Sequence, residues 1–167
     1  MTSSEAATTA EDLQNTAVLW SIRAVRASAV VAAACDALVA GLDGPTLRSL
    51  AACFHNEADY DVPELLPAAL NELGLTFYPL DSRAGQEAAA CALALRHLSG
   101  ALTARELVHE IHQHFSHNLP LVERLAALDD EYDILEYGNK TPDQIDAEIT
   151  AEAHRLVDQQ HGTQPVP

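Results

Sequence analysis

Between Glu106 and His117 the chain reads Glu-Leu-Val-His-Glu-Ile-His-Gln-His-Phe-Ser-His, with imidazoles at 109, 112, 114 and 117 and carboxylates at 106 and 110. Imidazole and carboxylate bind divalent metals and move protons near neutral pH, so this is where local chemistry is sought first. At about 100° per residue, Leu107, Val108, Ile111 and Phe115 gather on one helix face and leave the four histidines on the other, exposed side. Glu110, His114 and His117 then fall within about one sixth of a turn, a set of two imidazoles and a carboxylate that a zinc-like ion could use. Known helical metal signatures differ from this pattern. His-Glu-x-x-His places its histidines at i and i+4, whereas His109 and His112 stand at i and i+3. A di-iron bundle needs Glu-x-x-His on two helices, and only Glu106 to His109 has that spacing. The plainer reading is a polar helix face that happens to use histidine. Protonating all eight histidines would take the formal charge from −16 to −8, so a pH-sensitive patch is a further reading of the same residues.

The second concentration of titratable groups is Asp129-Asp130-Glu131-Tyr132-Asp133-Ile134-Leu135-Glu136-Tyr137, with five acids in the eight residues from Asp129 to Glu136. An EF-hand loop alternates its acids around a central glycine, which this stretch does not. Tyr132 and Leu135 keep helical register, so the acids are expected on the outer face of a helix. A charged run of this kind is usually a solvated face. As a docking surface it would offer Asp129, Asp130, Glu131, Asp133, Glu136 and Tyr137 to a basic partner. No Gly-x-Ser-x-Gly, phosphate-binding loop or glycine-rich dinucleotide turn occurs, and pairs of acids carry no weight in a chain so rich in them. No catalytic or cofactor-binding residue is assigned.

The whole chain is acidic: 25 acids face nine bases, which disfavours a nucleic-acid backbone and an anionic membrane surface and favours a basic protein surface. Acidity with a single lysine also fits a salt-adapted host, or simple solubility. Cys35, Cys53 and Cys91 are odd in number and widely spaced, and read as buried free thiols of a reducing, cytoplasmic setting. The first residues lack a basic leader, and the apolar run from Ala27 to Leu42 is interrupted by Asp36 and too short to span a bilayer.

These groups must be positioned by helices. Aromatics are only 5% of residues while alanine is abundant, which suits close helix packing, and no run of β-branched residues could build a sheet. A first long helix is expected over 10–40. It is opened by Thr8 and Glu11 at capping-box spacing and stopped by Gly41, with Leu13, Ala17, Trp20, Ala24, Ala27, Val31, Ala34 and Leu38 on one stripe and a break near Ser28 allowed. Shorter helices follow: one after Asp43-Gly44-Pro45, one from Asp61 to Gly74, and one over 82–99 with Ala88, Cys91, Ala92, Leu95 and Leu98 inward. Thr103 and Glu106 open the histidine helix as a capping box. The acidic helix runs from Pro120 to Gly138, and Thr141-Pro142 starts the last.

Several of these segments resemble uncharacterised small α-helical proteins common in actinobacteria. The likeness lies in Glu106-Leu-Val-His109, Phe115-Ser-His117-Asn-Leu-Pro, Leu128-Asp-Asp-Glu-Tyr-Asp and Thr141-Pro142. It continues upstream in Leu47-Arg-Ser-Leu-Ala and Leu70-Asn-Glu-Leu-Gly, together about two thirds of the chain. The resemblance implies a bacterial cytoplasmic helical protein and transfers no active site.

The expectation is therefore an all-α, single-domain bundle of about six to seven helices around a long N-terminal helix, over residues 10–160, with loose ends at 1–9 and 161–167. In function the sequence points to a non-enzymatic acidic interaction module, in its most specific form an inhibitor or immunity-type protein that neutralises a basic partner. A metal-binding sensor or hydrolase using Glu110, His114 and His117 is the alternative. A structural homo-oligomer with the stripe of the first helix as its seam is the third.

Overall fold

The computed structural model describes residues 3–162, and every regular element among them is helical. Two compact units divide the chain, residues 1–85 and 86–167.

The first unit holds α1 (Ser3–Ser21), α2 (Ala27–Val39), α3 (Pro45–Ala51) and α4 (Ala58–Glu72). The single helix expected over 10–40 is therefore two, broken just before Ser28. Arg23 takes φ 60°. Its N–H donates to the Trp20 carbonyl and that of Ala24 to the Leu19 carbonyl, both at 2.9 Å. This pair of bonds is a Schellman helix end, which usually places glycine in the left-handed position. An arginine there gives no residue-type signal, so the sequence allowed the break near Ser28 but did not mark the end of α1. Where glycine does hold that position, at Gly41 and Gly74 with φ 90° and 68°, the expected stops of α2 and α4 are found. The Arg23 guanidinium also meets the Asp81 carboxylate at 2.6 Å.

The start of α1 differs from expectation as well. It begins at Ser3, so residues 3–9 form helical turns, and Thr8 Oγ1 donates to the Ser4 carbonyl at 3.0 Å instead of capping the helix. Residues 1–2 and 163–167 lie outside the described residues, and most of the expected C-terminal tail lies there with them.

The stripe itself holds. Leu13, Ala17, Trp20, Ala27, Val31 and Ala34 are buried with Leu47, Leu50, Val62, Leu66 and Leu70 in one core. The seam expected of a homo-oligomer is thus filled by the unit's own helices. The N-terminus of α3 is satisfied by α4: the Glu72 carboxylate accepts the N–H groups of Thr46 at 3.0 Å and Leu47 at 3.1 Å. The Thr46 hydroxyl first, and then those N–H groups, hold its carboxyl below the ordinary range.

The second unit contains most of α5 (Arg83–Leu98), then α6 (Ala104–Phe115), α7 (Glu123–Asp133) and α8 (Pro142–Gly162), with single 3-10 turns at Pro120–Val122 and Leu135–Tyr137. The Thr103 box forms as expected: Thr103 Oγ1 accepts the Glu106 N–H at 3.2 Å and Glu106 Oε2 accepts the Thr103 N–H at 2.8 Å. Thr141 and Gln144 repeat the arrangement at α8. Leu93, Leu107, Val108, Ile111, Phe115, Leu125, Leu128, Ile145, Ile149 and Leu156 are buried. Leu95, expected inward, is 37% exposed, and α7 stops at Asp133, short of Gly138. The thiols differ from one another: Cys91 is buried, Cys53 half-buried, and Cys35 exposed, contrary to expectation. No helix among the described residues is long and apolar enough to cross a membrane.

Candidate functional site

The apolar face of α6 (Leu107, Val108, Ile111, Phe115) is buried as its spacing dictates. This fixes the rotation of the helix and hence the direction of its histidines. His109 is exposed. His112 and His114 are half-buried, with side-chain exposures of 28% and 18%, so the expectation that all four histidines are exposed fails for these two. Both lie at the flank of the apolar stripe, where α7 and the ring of Phe115 reach them.

The expected trio does not assemble. Glu110 and His114 pair at 3.3 Å, one helical turn apart, but His117 leaves them. The helix ends at Phe115 and Ser116 turns the chain with φ 47°, so the helical angle that aligned His117 with Glu110 and His114 no longer applies to it. His117 instead faces α7. Its Nδ1 is 3.0 Å from Glu123 Oε1 and its Nε2 is 3.2 Å from Asp130 Oδ2. His112 meets the same helix, with Nδ1 2.9 Å from Asp129 Oδ2 and 3.7 Å from Asp130 Oδ1. The two imidazoles sit edge to face with centroids 5.2 Å apart. Ligand atoms of His112, His117 and Asp130 all lie within 4.8 Å of one another, and among the described residues this is the group able to share a metal ion. The hydrogen bond to Glu123, aided by the charge of Asp130, raises the His117 pKa above its ordinary value.

Sequence reasoning did not assign His112, Glu123, Asp129 or Asp130 to this group. A signal existed: Asp129 is four residues after Leu125 and so falls on the buried stripe of α7, where it is 8% exposed. An acid on a buried stripe needs a partner, and His112 on the facing helix supplies it.

The acidic stretch is also rearranged. Asp129 points inward to His112, whereas Asp130 keeps the expected outer position, half exposed, and there meets both histidines. Glu131 lies between Arg124 at 2.8 Å and Lys140 at 2.9 Å, and Glu148 of α8 completes the network with Lys140 at 2.6 Å and a contact to Arg124. Paired in this way, both carboxyls are held below their ordinary range, first by Lys140 and then by Arg124. Asp133 meets Arg105 at 3.4 Å, and that guanidinium stacks 4.7 Å over the Tyr132 ring.

Glu136 and Tyr137 are left on the 3-10 turn without such partners, and Tyr137 is 83% exposed. Beside them Ile134, 57% exposed, joins Leu135, Ile145 and Lys140 around a recess of about 240 Å³. The turn ended α7 early, and in doing so it exposed this recess.

No family model, curated protein or solved structure matches the chain.

Proposed function

We propose that the protein is a binding module for a basic protein segment, docked where α7 passes into α8. The observation that carries this reading is the apolar recess formed by Ile134, Leu135 and Ile145 inside the most acidic span of the chain. From Asp129 to Glu148 the sequence holds eight carboxylates and a single cation, Lys140, which is itself engaged by Glu131 and Glu148. Glu136 and exposed Tyr137 directly follow Leu135 of the recess in the chain, and aromatic residues beside carboxylates suit a cationic partner with an apolar anchor. An inhibitor or immunity-type protein is the specific form of this function, because a strongly negative surface speeds encounter with a basic target. Of the six contacts expected from the sequence, Glu136 and Tyr137 remain and Ile134 joins them; Asp129 and Asp130 are engaged by the histidines, Glu131 by Arg124 and Lys140, and Asp133 by Arg105.

The test is a labelled peptide in which arginines flank one leucine, titrated by fluorescence anisotropy at about 0.05 M and about 0.3 M salt. Binding should weaken with salt, fall when glycine replaces the leucine, and disappear in Ile134→Asp, a change at an exposed position that leaves the core intact. Equal binding of the leucine and glycine peptides would overturn the proposal, as would unchanged binding by the variant.

A further inference from the structure

The joint between α6 and α7 presents a different chemistry from the recess. Two imidazoles there meet three carboxylates: His112 faces Asp129 and Asp130, and His117 faces Glu123 and Asp130. Ordinary ion pairing would give each histidine one acid. Here Asp130 is shared between both rings, and the cations nearby are engaged elsewhere. Arg105 goes to Asp133, Arg124 and Lys140 to Glu131 and Glu148, and Arg155 to Glu152. The joint thus gathers negative charge and nitrogen lone pairs around one point with no fixed cation to compensate them.

We propose that His112, His117 and Asp130 bind one divalent transition-metal ion of the zinc or cobalt type, and that Glu123 orients His117 for it.

The donor set selects the ion. Imidazole nitrogens suit zinc, cobalt and nickel, whereas magnesium and calcium take oxygen donors, of which a single first-rank carboxylate is too few. Three protein ligands leave a fourth position for water, the number usual for an open zinc site. Ligand atoms of a tetrahedral zinc site stand about 3.3 Å apart, given bonds of about 2.0–2.2 Å. The present spread of up to 4.8 Å closes with side-chain rotation alone. His117 and Asp130 are free to make it, being 46% and 52% exposed, while the half-buried His112 supplies the fixed corner.

Glu123 acts through His117. With Nδ1–H donating to that carboxylate at 3.0 Å, Nε2, which hydrogen-bonds Asp130 Oδ2 at 3.2 Å, is the nitrogen that would give up its proton and turn its lone pair to the ion. A carboxylate behind a ligating histidine fixes the tautomer and ring orientation and strengthens the ligand. Asp129, 2.9 Å from His112 Nδ1, places a second negative charge beside the ion and raises the local attraction for a dication. The chain order is also suited to a clamp. His112 comes from the last turns of α6, His117 from the turn after it, and Asp130 from the middle of α7, so a bound ion would tie the helix–turn–helix together.

The experiment titrates untagged, chelator-treated protein with ZnCl2, and separately with MgCl2, by calorimetry. Visible absorption of the Co2+ form reports coordination geometry. One Zn2+ per chain should bind with a dissociation constant on the order of micromolar or tighter, and Mg2+ should not bind. His117→Ala and Asp130→Ala should each weaken binding at least tenfold. Glu123→Ala should lower affinity about 10–100-fold and alter the Co2+ spectrum, with Glu123→Gln recovering part of both because its amide oxygen still accepts from Nδ1–H. His114→Ala and Glu110→Gln should change nothing, and circular dichroism should match across the set. No Zn2+ uptake, equal response to Mg2+, or a loss in His114→Ala as large as in His117→Ala would overturn the site. Unchanged binding and spectrum in Glu123→Ala would overturn the orienting role and leave the site standing.

Discussion

Lys140→Met removes a charge set between two carboxylates, Glu131 Oε2 at 2.9 Å and Glu148 Oε1 at 2.6 Å. Methionine keeps most of the apolar stem, so the change reads charge more than packing. The three side chains retain 31–38% exposure, which ranks the pairs with surface ion pairs of about 0.2–1 kcal/mol each, not with buried ones. Both carboxylates also lean on Arg124, and without Lys140 they compete for that one guanidinium. The expected loss is about 1 kcal/mol at low salt. With a urea dependence of roughly 1–3 kcal/mol per molar, the unfolding midpoint should fall by about 0.5 M. In about 1 M salt, where the screening length shrinks to about 3 Å, the gap between parent and variant should shrink to less than half. Urea denaturation followed by circular dichroism at the two salt concentrations measures both numbers. A loss above about 3 kcal/mol, typical of breaking a buried pair, would refute the argument. So would a gap that salt leaves untouched.

Acid should remove the same contribution in a defined order. The folded carboxyls of Glu131 and Glu148 are held below their ordinary range, so their stabilisation is complete above the unfolded value of about 4.3 and is lost as pH falls through the folded values. The stability advantage over a Glu131→Gln, Glu148→Gln double variant should therefore vanish in acid, be flat around neutral pH, and fall again in alkali as Lys140, its pKa raised by the same carboxylates, loses its proton, as pH titrations of unfolding would record. At Gly44 a Cβ would meet Glu72 Oε2 at 2.2 Å. Gly44→Ala should push that carboxylate off the N–H groups of Thr46 and Leu47 and cost about 1 kcal/mol, read as a lower thermal midpoint. Thiol reagents should separate the cysteines. Exposed Cys35 should label in the folded protein, while Cys91, buried and with its thiol pKa pushed up to about 11, should label only on unfolding. Mass spectrometry of labelled peptides would decide this.

Much of the fold was legible because helices announce themselves locally. Thr103 and Glu106 formed the box their spacing implied, Gly41 and Gly74 ended helices in the left-handed conformation, and the stripe of the first helices was buried. The misses arose where a local rule lacked its usual residue. Arg23 ended α1 as glycine would, and Thr8 lay inside a helix that had already begun at Ser3. For the candidate sites, residue types were legible but partners were not. Periodicity brought Glu110 and His114 together but did not show that α7 and Phe115 half-bury His112 and His114. It failed for His117, since Ser116 turns the chain out of register.

By itself, then, the sequence determined the helical class, the acidic balance and the rotation of α6, because caps, composition and a 3.6-residue period act within a few turns of chain. Only the tertiary structure decided which charges meet. It turned Asp129 inward to His112, gave Asp130 to both imidazoles, and gathered Glu131, Glu148, Arg124 and Lys140 into one network. The pairing of groups 7 to 24 residues apart depends on how α6, α7 and α8 pack, and Coulomb energy is too short-ranged and too screened to be read from spacing along the chain.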